Sequence, residues 1–431
     1  MNDMIIYQIY PLGLCGAPFR NDGKQVSRIL RILEWIPHLK QLGVNAILFN
    51  PVFESSTHGY DTRDYTQIDC RLGSNEDFQQ VCDALHEAGF RIILDVVFNH
   101  TGRDFGPFRD VCRNRENSRY RDWFYIDFDD CSRRDGFSYA DWDGHQELVK
   151  LNLQNPEVRR YLLERADQWI GEFDIDGFRL DTAAILDRDF LYLLCSHIRA
   201  YAPDFFFLGE MTGGDYRELL AEGLLNSITD YELKEALVHA FRTEDLRCIA
   251  DLLHDQIRRG LPIQNLLTFA DNHDTDRFAS IIRDEKNLSC VYALLTALTG
   301  IPCIYYGSEW AAEGKKTPYS DRKVRPEFKH PRFSQLTGDI AAMFRMRSTY
   351  SIFREGDFHL LYISEKQIAF RRRSHRGQLT FAMNLSGSPA ELKADPEVGQ
   401  GLDLISRKTV RFSGSMHVPA HSACFWYSDW I

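Results

Sequence analysis

Eight short apolar runs punctuate the first three quarters of the chain: MIIYQIY (4–10), VNAILFN (44–50), FRIILDVVF (90–98), IDGFRLD (175–181), FFFLGE (205–210), NSITDY (226–231), IQNLLTFA (263–270) and IPCIYY (301–306). Each is short enough for a strand. Between and after them, apolar residues recur with helical spacing over 25–42, 75–88, 156–171, 187–201, 245–259, 286–299 and 335–349. One of these stretches, NPEVRRYLLERADQWI, opens on an Asn-Pro cap signal. Strand and helix alternate, so the sheet must be parallel, and eight such units predict an α/β fold, a closed (β/α)8 TIM barrel. In that architecture the chemistry sits where the strands end.

Two segments break the alternation. Residues 101–150 are rich in Arg, Asp and aromatics with little helical period, which predicts an excursion lobe between the third strand and the third helix. From about 350 the chain changes to short alternating runs such as QIAFRRR and QLTFAMNL, the pattern of a small C-terminal antiparallel β domain. The expected domains are therefore a barrel over 1–100 and 151–349, a lobe over 101–150 and a β-sandwich over 350–431. Within the last, FRRRSHR (370–376) reads as a solvated face.

Composition narrows the partners. A formal charge of −11 without acidic blocks argues against nucleic acid or an anionic membrane surface, and leaves small neutral ligands open. The N-terminus lacks the basic leader and cleavage site of a signal peptide, and no later run reaches membrane-spanning length, so the expectation is a cytoplasmic protein. Ten cysteines without a CxxC pair are expected to be reduced and structural.

The stretch GFRLDTA (177–183) buries two charges in an apolar strand. Period two places Gly177, Arg179 and Asp181 on the barrel-interior face and Phe178 and Leu180 on the helix face. As a structural pair these charges are expensive, since each loses several kcal/mol of hydration. Other strand ends supply company: Glu210 after FFFLG, His273 and Asp274 in FADNHD, and Asp95, Asn99 and His100 in LDVVFNH. Several carboxylates converging on one mouth, with no P-loop, dinucleotide fingerprint or HExxH, point to glycoside cleavage, which needs one ionised and one protonated carboxyl group. Arg179 is expected to favour the charged form of Asp181, while Glu210, following three phenylalanines, is expected to be the raised acid.

These motifs, DVVFNH (95–100), GFRLDTA, Glu210 in FLGEM, and FADNHD (269–274), resemble the four ordered motifs of the alpha-amylase family of glycoside hydrolases. GVNAILFNPVFES (43–55), HGYDTRDY (58–65) and GIPCIYYGSE (300–309) resemble the family as well, so the likeness runs over residues 5–310. It implies a retaining enzyme for α-linked glucans, with Asp181 as nucleophile, Glu210 as acid/base and Asp274 as the third carboxylate. It further implies that Arg179 orients the nucleophile, His100 and His273 bond the sugar, Asp95 supports the site and Tyr60 stacks on the sugar ring.

Finer features bear on the subgroup. VKLN with Lys150 resembles the PKLN of neopullulanase and cyclomaltodextrinase relatives, and SDRKVRPEF places Asp321 and Arg325 at an acidic-basic spacing found near the mouth there. Against this stand the missing aromatic after Glu210 (GEMTGG) and a chain that begins at the first strand, without the N-terminal β domain through which such relatives often dimerise. The expected substrates are maltodextrins, cyclodextrins or related α-glucans, cleaved mainly at α-1,4 bonds. Glucosyl transfer or isomerisation through the same intermediate stays open, as does, more remotely, an inactive sugar-binding barrel. No cofactor is required; a calcium beside Asn99 is optional, with no metal ligand assigned, and Ala184 and Ile185 replace the Lys-His pair of classical relatives. Trp123 and Trp142 are equally core or sugar platforms, and Trp310 is the better platform candidate.

Overall fold

The computed structural model describes residues 3–220, 224–393, 400–412 and 414–429. Eight parallel strands close into a barrel: β1 (Ile6–Ile9), β2 (Ala46–Phe49), β3 (Arg91–Val96), β4 (Gly177–Leu180), β5 (Phe206–Gly209), β6 (Ser227–Thr229), β7 (Leu266–Thr268) and β8 (Ile301–Tyr305). Each neighbours its sequence successor, and β8 returns to β1. The pleat decides where each side chain goes. Ile6, Ala46, Leu48, Ile93, Phe206, Leu208, Leu267, Ile301 and Cys303 fill the interior, while Phe178, Leu180 and Phe207 belong to the shell packed under the helices. The apolar interior is therefore a floor, and the polar residues one pleat step further on stand above it.

The helices are α1 (Ile36–Leu42), α2 (Asn75–Glu87), α3 (Pro156–Phe173), α4 (Arg188–Arg199), α5 (Tyr231–Thr243), α6 (Arg247–Arg258), α7 (Leu288–Ala297) and α8 (Gln335–Thr349). Their starts follow capping chemistry. Ser74 and Asp77 form a reciprocal capping box on α2, and Asn155 accepts from Glu157 N at 2.8 Å, with Pro156 in the first turn of α3. Helix α5 was not anticipated. The signal was Asp230, whose carboxylate accepts the Leu233 amide at 3.0 Å, directly after the short strand β6. A helix over Gly106–Asn114 was also missed in the excursion segment, where Arg and Asp blur the period. The rest of that segment pairs strands 100–102, 141–142 and 145–150, returning Lys150 opposite His100.

The C-terminal region is a six-stranded antiparallel sheet with a two-stranded sheet against it. The reading of FRRRSHR as a solvated face is corrected here. Residues 367–374 form an inner strand covered on both sides: Ile368 and Phe370 pack with the barrel core, and Ala369 with Leu392, Met416 and Val418. Arg371 and Arg372 are accordingly buried, and only the hairpin end at His375 and Arg376 is exposed. Arg372 shares the parity of Phe370 and donates to the carbonyls of Ala297 (3.3 Å), Phe353 (2.8 Å) and Glu355. Arg347 of α8 donates to those of Thr296 (2.8 Å), Leu298 (2.6 Å), Thr299 (3.2 Å) and Gly300. Together they satisfy carbonyls left open at the C-terminal end of α7, and they fasten the barrel to the β sheet.

Leaving those buried carbonyls unpaired carries a desolvation penalty. Arg347→Met should therefore lower unfolding free energy by about 2–4 kcal/mol, read as a shifted denaturant midpoint. A loss below about 0.5 kcal/mol would mean the carbonyls find other donors.

Candidate active site

Strand register brings the first charges together. Arg179 on β4 lies directly opposite Asp95 on β3, both at the last inward position of their strands. The Arg179 guanidinium reaches Asp95 Oδ1 at 2.6 Å, Glu210 Oε1 at 2.6 Å and Asp181 Oδ1 at 3.6 Å. One buried cation thus serves three carboxylates. Its shorter contacts go to Asp95 and Glu210, and its pull on Asp181 still acts toward the charged form, as expected.

The protonation consequence differs from expectation. Burial, together with the Glu210 charge, pushes the Asp181 carboxyl well above the ordinary aspartate range, against the opposing pull of Arg179. Asp181 is 5% exposed and its Oδ2 has no hydrogen-bond partner among the described residues. Glu210 is 7% exposed and accepts from Arg179 and from the Thr182 amide at 3.0 Å. The phenylalanines before Glu210 do not line its carboxylate: Phe206 lies in the floor below, and Phe205 and Phe207 face the helices. Thr182 adopts a left-handed backbone (φ 48°), a conformation costing a β-branched residue about 1–3 kcal/mol. It is that turn that accompanies the Thr182 N–H reaching Glu210.

Asp95 is held from three sides, accepting from Arg179, Asn50 Nδ2 (2.8 Å) and Tyr60 OH (2.9 Å). Tyr60 OH also meets His273 Nε2, and the two rings stack at 5.6 Å. Gln8 Nε2 meets His273 Nδ1 at 3.0 Å, and His273 Nε2 lies 2.9 Å from Asp274 Oδ2. Arg325 closes the other side of Asp274 with Nη2 at 2.8 Å, and it also reaches Asp321 at 3.1 Å. Although burial pushes it up, His273 and Arg325 hold the Asp274 carboxyl well below the aspartate range. The network is continuous: Arg179, Asp95, Tyr60, His273, Asp274, Arg325, Asp321.

His100 lies apart from that chain of contacts. Burial and the neighbouring His58 and His145 bring it down to about 3, so its ring is neutral, and its buried Nε2 has no partner among the described residues. Trp142 stands 6.0 Å from His100 and stacks on His145 at 5.4 Å, whereas Trp123 is buried among Phe105, Tyr120 and Tyr161. Trp310 is partly buried and packs against the core on Trp35, His38 and Phe328. Gln8, Tyr10 and Asn50 were not foreseen. Gln8 was visible as the polar residue inside MIIYQIY, and Asn50 as the polar end of the second run.

At Asn99, the position expected beside an optional calcium, the side-chain Nδ2 meets the His100 ring at 3.3 Å and the backbone carbonyl accepts from Leu151 N at 3.0 Å. Among the described residues, one group of three acidic, His or Cys side chains converges closely enough for a metal, Glu54 with Asp69 and Cys70. It lies elsewhere, and Arg63 and Arg71 already engage its carboxylates.

A closed parallel barrel here gathers carboxylates around a guanidinium at the C-terminal ends of its strands, the place where barrel enzymes carry their active sites. Residues 19–341 match the family model described as alpha amylase, catalytic domain. A cyclomaltodextrinase from a Bacillus species is 31% identical over 411 residues, covering 89% of this chain and 73% of that protein. An intracellular maltogenic amylase of Bacillus subtilis is 36% identical over 297 residues, or 67% of this chain and 49% of that protein. A solved cyclomaltodextrinase structure superposes with a TM-score of 0.88 at 29% identity, covering 99% of this chain and 78% of that one. The chain belongs to the alpha-amylase family, and it spans from about half to three quarters of the length of these two sequence relatives.

A carboxyl whose folded value is raised stabilises the fold while protonated and loses that contribution as pH rises through the folded value. Asp181→Asn, which cannot ionise, should therefore exceed the native protein in thermal midpoint at pH 7, by a few degrees (~2–4 °C). The gap should close as pH falls toward about 4. Equal midpoints at both pH values would show that Asp181 is not raised.

Proposed function

We propose that this protein is a retaining α-glucan glycoside hydrolase of the cyclomaltodextrinase and maltogenic amylase kind. The observation that carries the reading is Arg179 bridging Asp95, Asp181 and Glu210, with Asp274 tied to the same network through Tyr60 and His273. Asp181 is the nucleophile, Glu210 the acid/base and Asp274 the carboxylate that binds sugar hydroxyls. Tyr60, His100, Lys150, His273, Asp321 and Arg325 contact the sugar around the cleavage point, and Asp95 and Arg179 hold the reacting groups in place.

Without substrate, burial and the Glu210 charge favour the protonated form of Asp181. Attack requires the proton on Glu210. A sugar hydroxyl donating to the unpartnered Asp181 Oδ2 stabilises the aspartate anion, and a glycosidic oxygen at Glu210 competes with Arg179 for that carboxyl. Binding thus moves the proton to the acid. Asp181 then bonds to the anomeric carbon as the C–O bond to the leaving glucan breaks, and Glu210 gives its proton to the departing oxygen. In the second half Glu210 takes a proton from water, whose oxygen attacks the same carbon and releases Asp181. Two inversions give retention.

The relatives named cyclomaltodextrinase and intracellular maltogenic amylase support short or cyclic α-1,4 glucans as substrates. All ten cysteines are free, which supports a reducing, cytoplasmic setting. Incubation with maltotriose, β-cyclodextrin and pullulan should yield glucose, maltose and short oligosaccharides, and Asp181→Asn should lower kcat by at least about 10³-fold. Products longer than the substrate would replace hydrolysis by glucosyl transfer. Turnover undiminished in Asp181→Asn would remove the nucleophile assignment.

A further inference from the structure

Arg277 lies three residues beyond Asp274, is fully buried, and has no direct role in the chemistry described above. Its contacts are distributed along the segment that follows β8. Nη1 donates to the Tyr306 carbonyl (2.8 Å) and Ser308 Oγ (3.2 Å) at the start of that segment, and Nε to the Val324 carbonyl (3.1 Å) near its end. The Arg277 backbone amide donates to the Gly314 carbonyl in the middle (2.9 Å). The guanidinium rests 3.9 Å over the Tyr305 ring. One residue therefore gathers both limbs and the centre of the loop.

The next residue after Val324 is Arg325, which donates to Asp274 Oδ1 at 2.8 Å and to the His273 carbonyl at 2.9 Å. The contacts close a ring: Asp274 leads along the chain to Arg277, Arg277 holds Val324, and Arg325 returns to Asp274. We propose that Arg277 is a positioning residue, locking the loop after β8 in the one placement from which Arg325 reaches Asp274. This rests on the reading of Asp274 as the third carboxylate of a glycoside hydrolase.

Two further observations support the lock. A Cβ at Gly314 would lie 2.1 Å from the Lys323 carbonyl and 3.3 Å from Arg277 Cγ, so the loop limbs meet across Arg277 with no room for a side chain. The charge itself is costly. Arg277 is balanced by Asp271 only through Ser308, whose hydroxyl donates to Asp271 Oδ1 at 2.8 Å, and a buried cation so placed is a poor source of net stability compared with an apolar filler. What it supplies is a fixed fork geometry. The loop has other ties, among them Tyr305 OH to the Val324 carbonyl (3.2 Å), Tyr306 OH to the Pro326 carbonyl (2.8 Å) and the Gly314 amide to Ser280 Oγ (2.8 Å), but Arg277 joins both limbs and the centre through one residue.

The test is a double-mutant cycle on kcat/KM for maltotriose, with Arg277→Met, Arg325→Met and the pair, each checked for folding by circular dichroism and thermal midpoint. If Arg277 acts through Arg325, Arg277→Met costs roughly tenfold, mainly in kcat, and the double variant lies within about twofold of Arg325→Met alone. Arg277→Lys, which keeps the charge but not the fork, should recover less than half of the loss on a logarithmic scale. Losses that multiply, or an Arg277→Met enzyme with lowered midpoint and native kcat/KM, overturn the proposal. Where Arg277→Met does not accumulate folded, Ser308→Ala takes its place in the same cycle, with the same two outcomes. Failure of the hydrolase reading looks different: the native protein would leave maltotriose, β-cyclodextrin and pullulan intact. The cycle is then read in thermal midpoints, where non-additivity supports the lock and additivity removes it.

Discussion

A single buried guanidinium sets the terms for the site. Arg179 stands on the apolar floor of the barrel, where an unpaired cation would be prohibitively costly, and three carboxylates from β3, from the end of β4 and from the end of β5 converge on it. Each is needed for the others. Without Arg179 the carboxylates would repel one another in a low-dielectric pocket, and without them the arginine could not be buried. The crowding leaves Asp181 carrying the cost as a raised carboxyl with one oxygen unpartnered, which is the condition a substrate hydroxyl can relieve. Site strain of this kind, with the left-handed Thr182 beside it, lowers the stability of the fold.

The second half of the site is organised differently. Asp274 is held low by His273 and Arg325, and those two are themselves fixed by Gln8, Tyr60 and the ring of contacts through Arg277 and Val324. One carboxylate is thus made ready to change protonation and another to remain charged, by surroundings rather than by residue type. Buried arginines recur as the means of fixing backbone. Arg277 gathers the loop after β8, and Arg347 and Arg372 bind carbonyls at the end of α7 where barrel and β sheet meet. In each case the planar fork reaches several carbonyls that a lysine could not reach at once.

Much of this was legible from the chain because the barrel imposes period two on its strands. The alternation of eight apolar runs with helical stretches was sufficient for the fold, and pleat parity was sufficient to aim Arg179 and Asp181 at the mouth where the strand before Glu210 also ends. The misreadings share a cause. FRRRSHR looks solvated because arginines usually are, and nothing local reveals that both faces of its strand are covered by elements distant in sequence. Trp310 follows a strand end, as a platform would, but it also packs on Trp35 and Phe328, which arrive from distant parts of the sequence.

The sequence by itself determined the architecture, the identity of the acidic side chains at the strand ends and their family, since these depend on local period and on residue type. The tertiary structure alone decided which partner each charge would take. Arg179 is two residues from Asp181 in sequence, yet its short contacts are to Asp95, set opposite by strand register, and to Glu210, turned inward from the next strand. Protonation preference follows from those distances and from burial. Both are properties of strands brought together in space, and neither is written in the order of residues along any one of them.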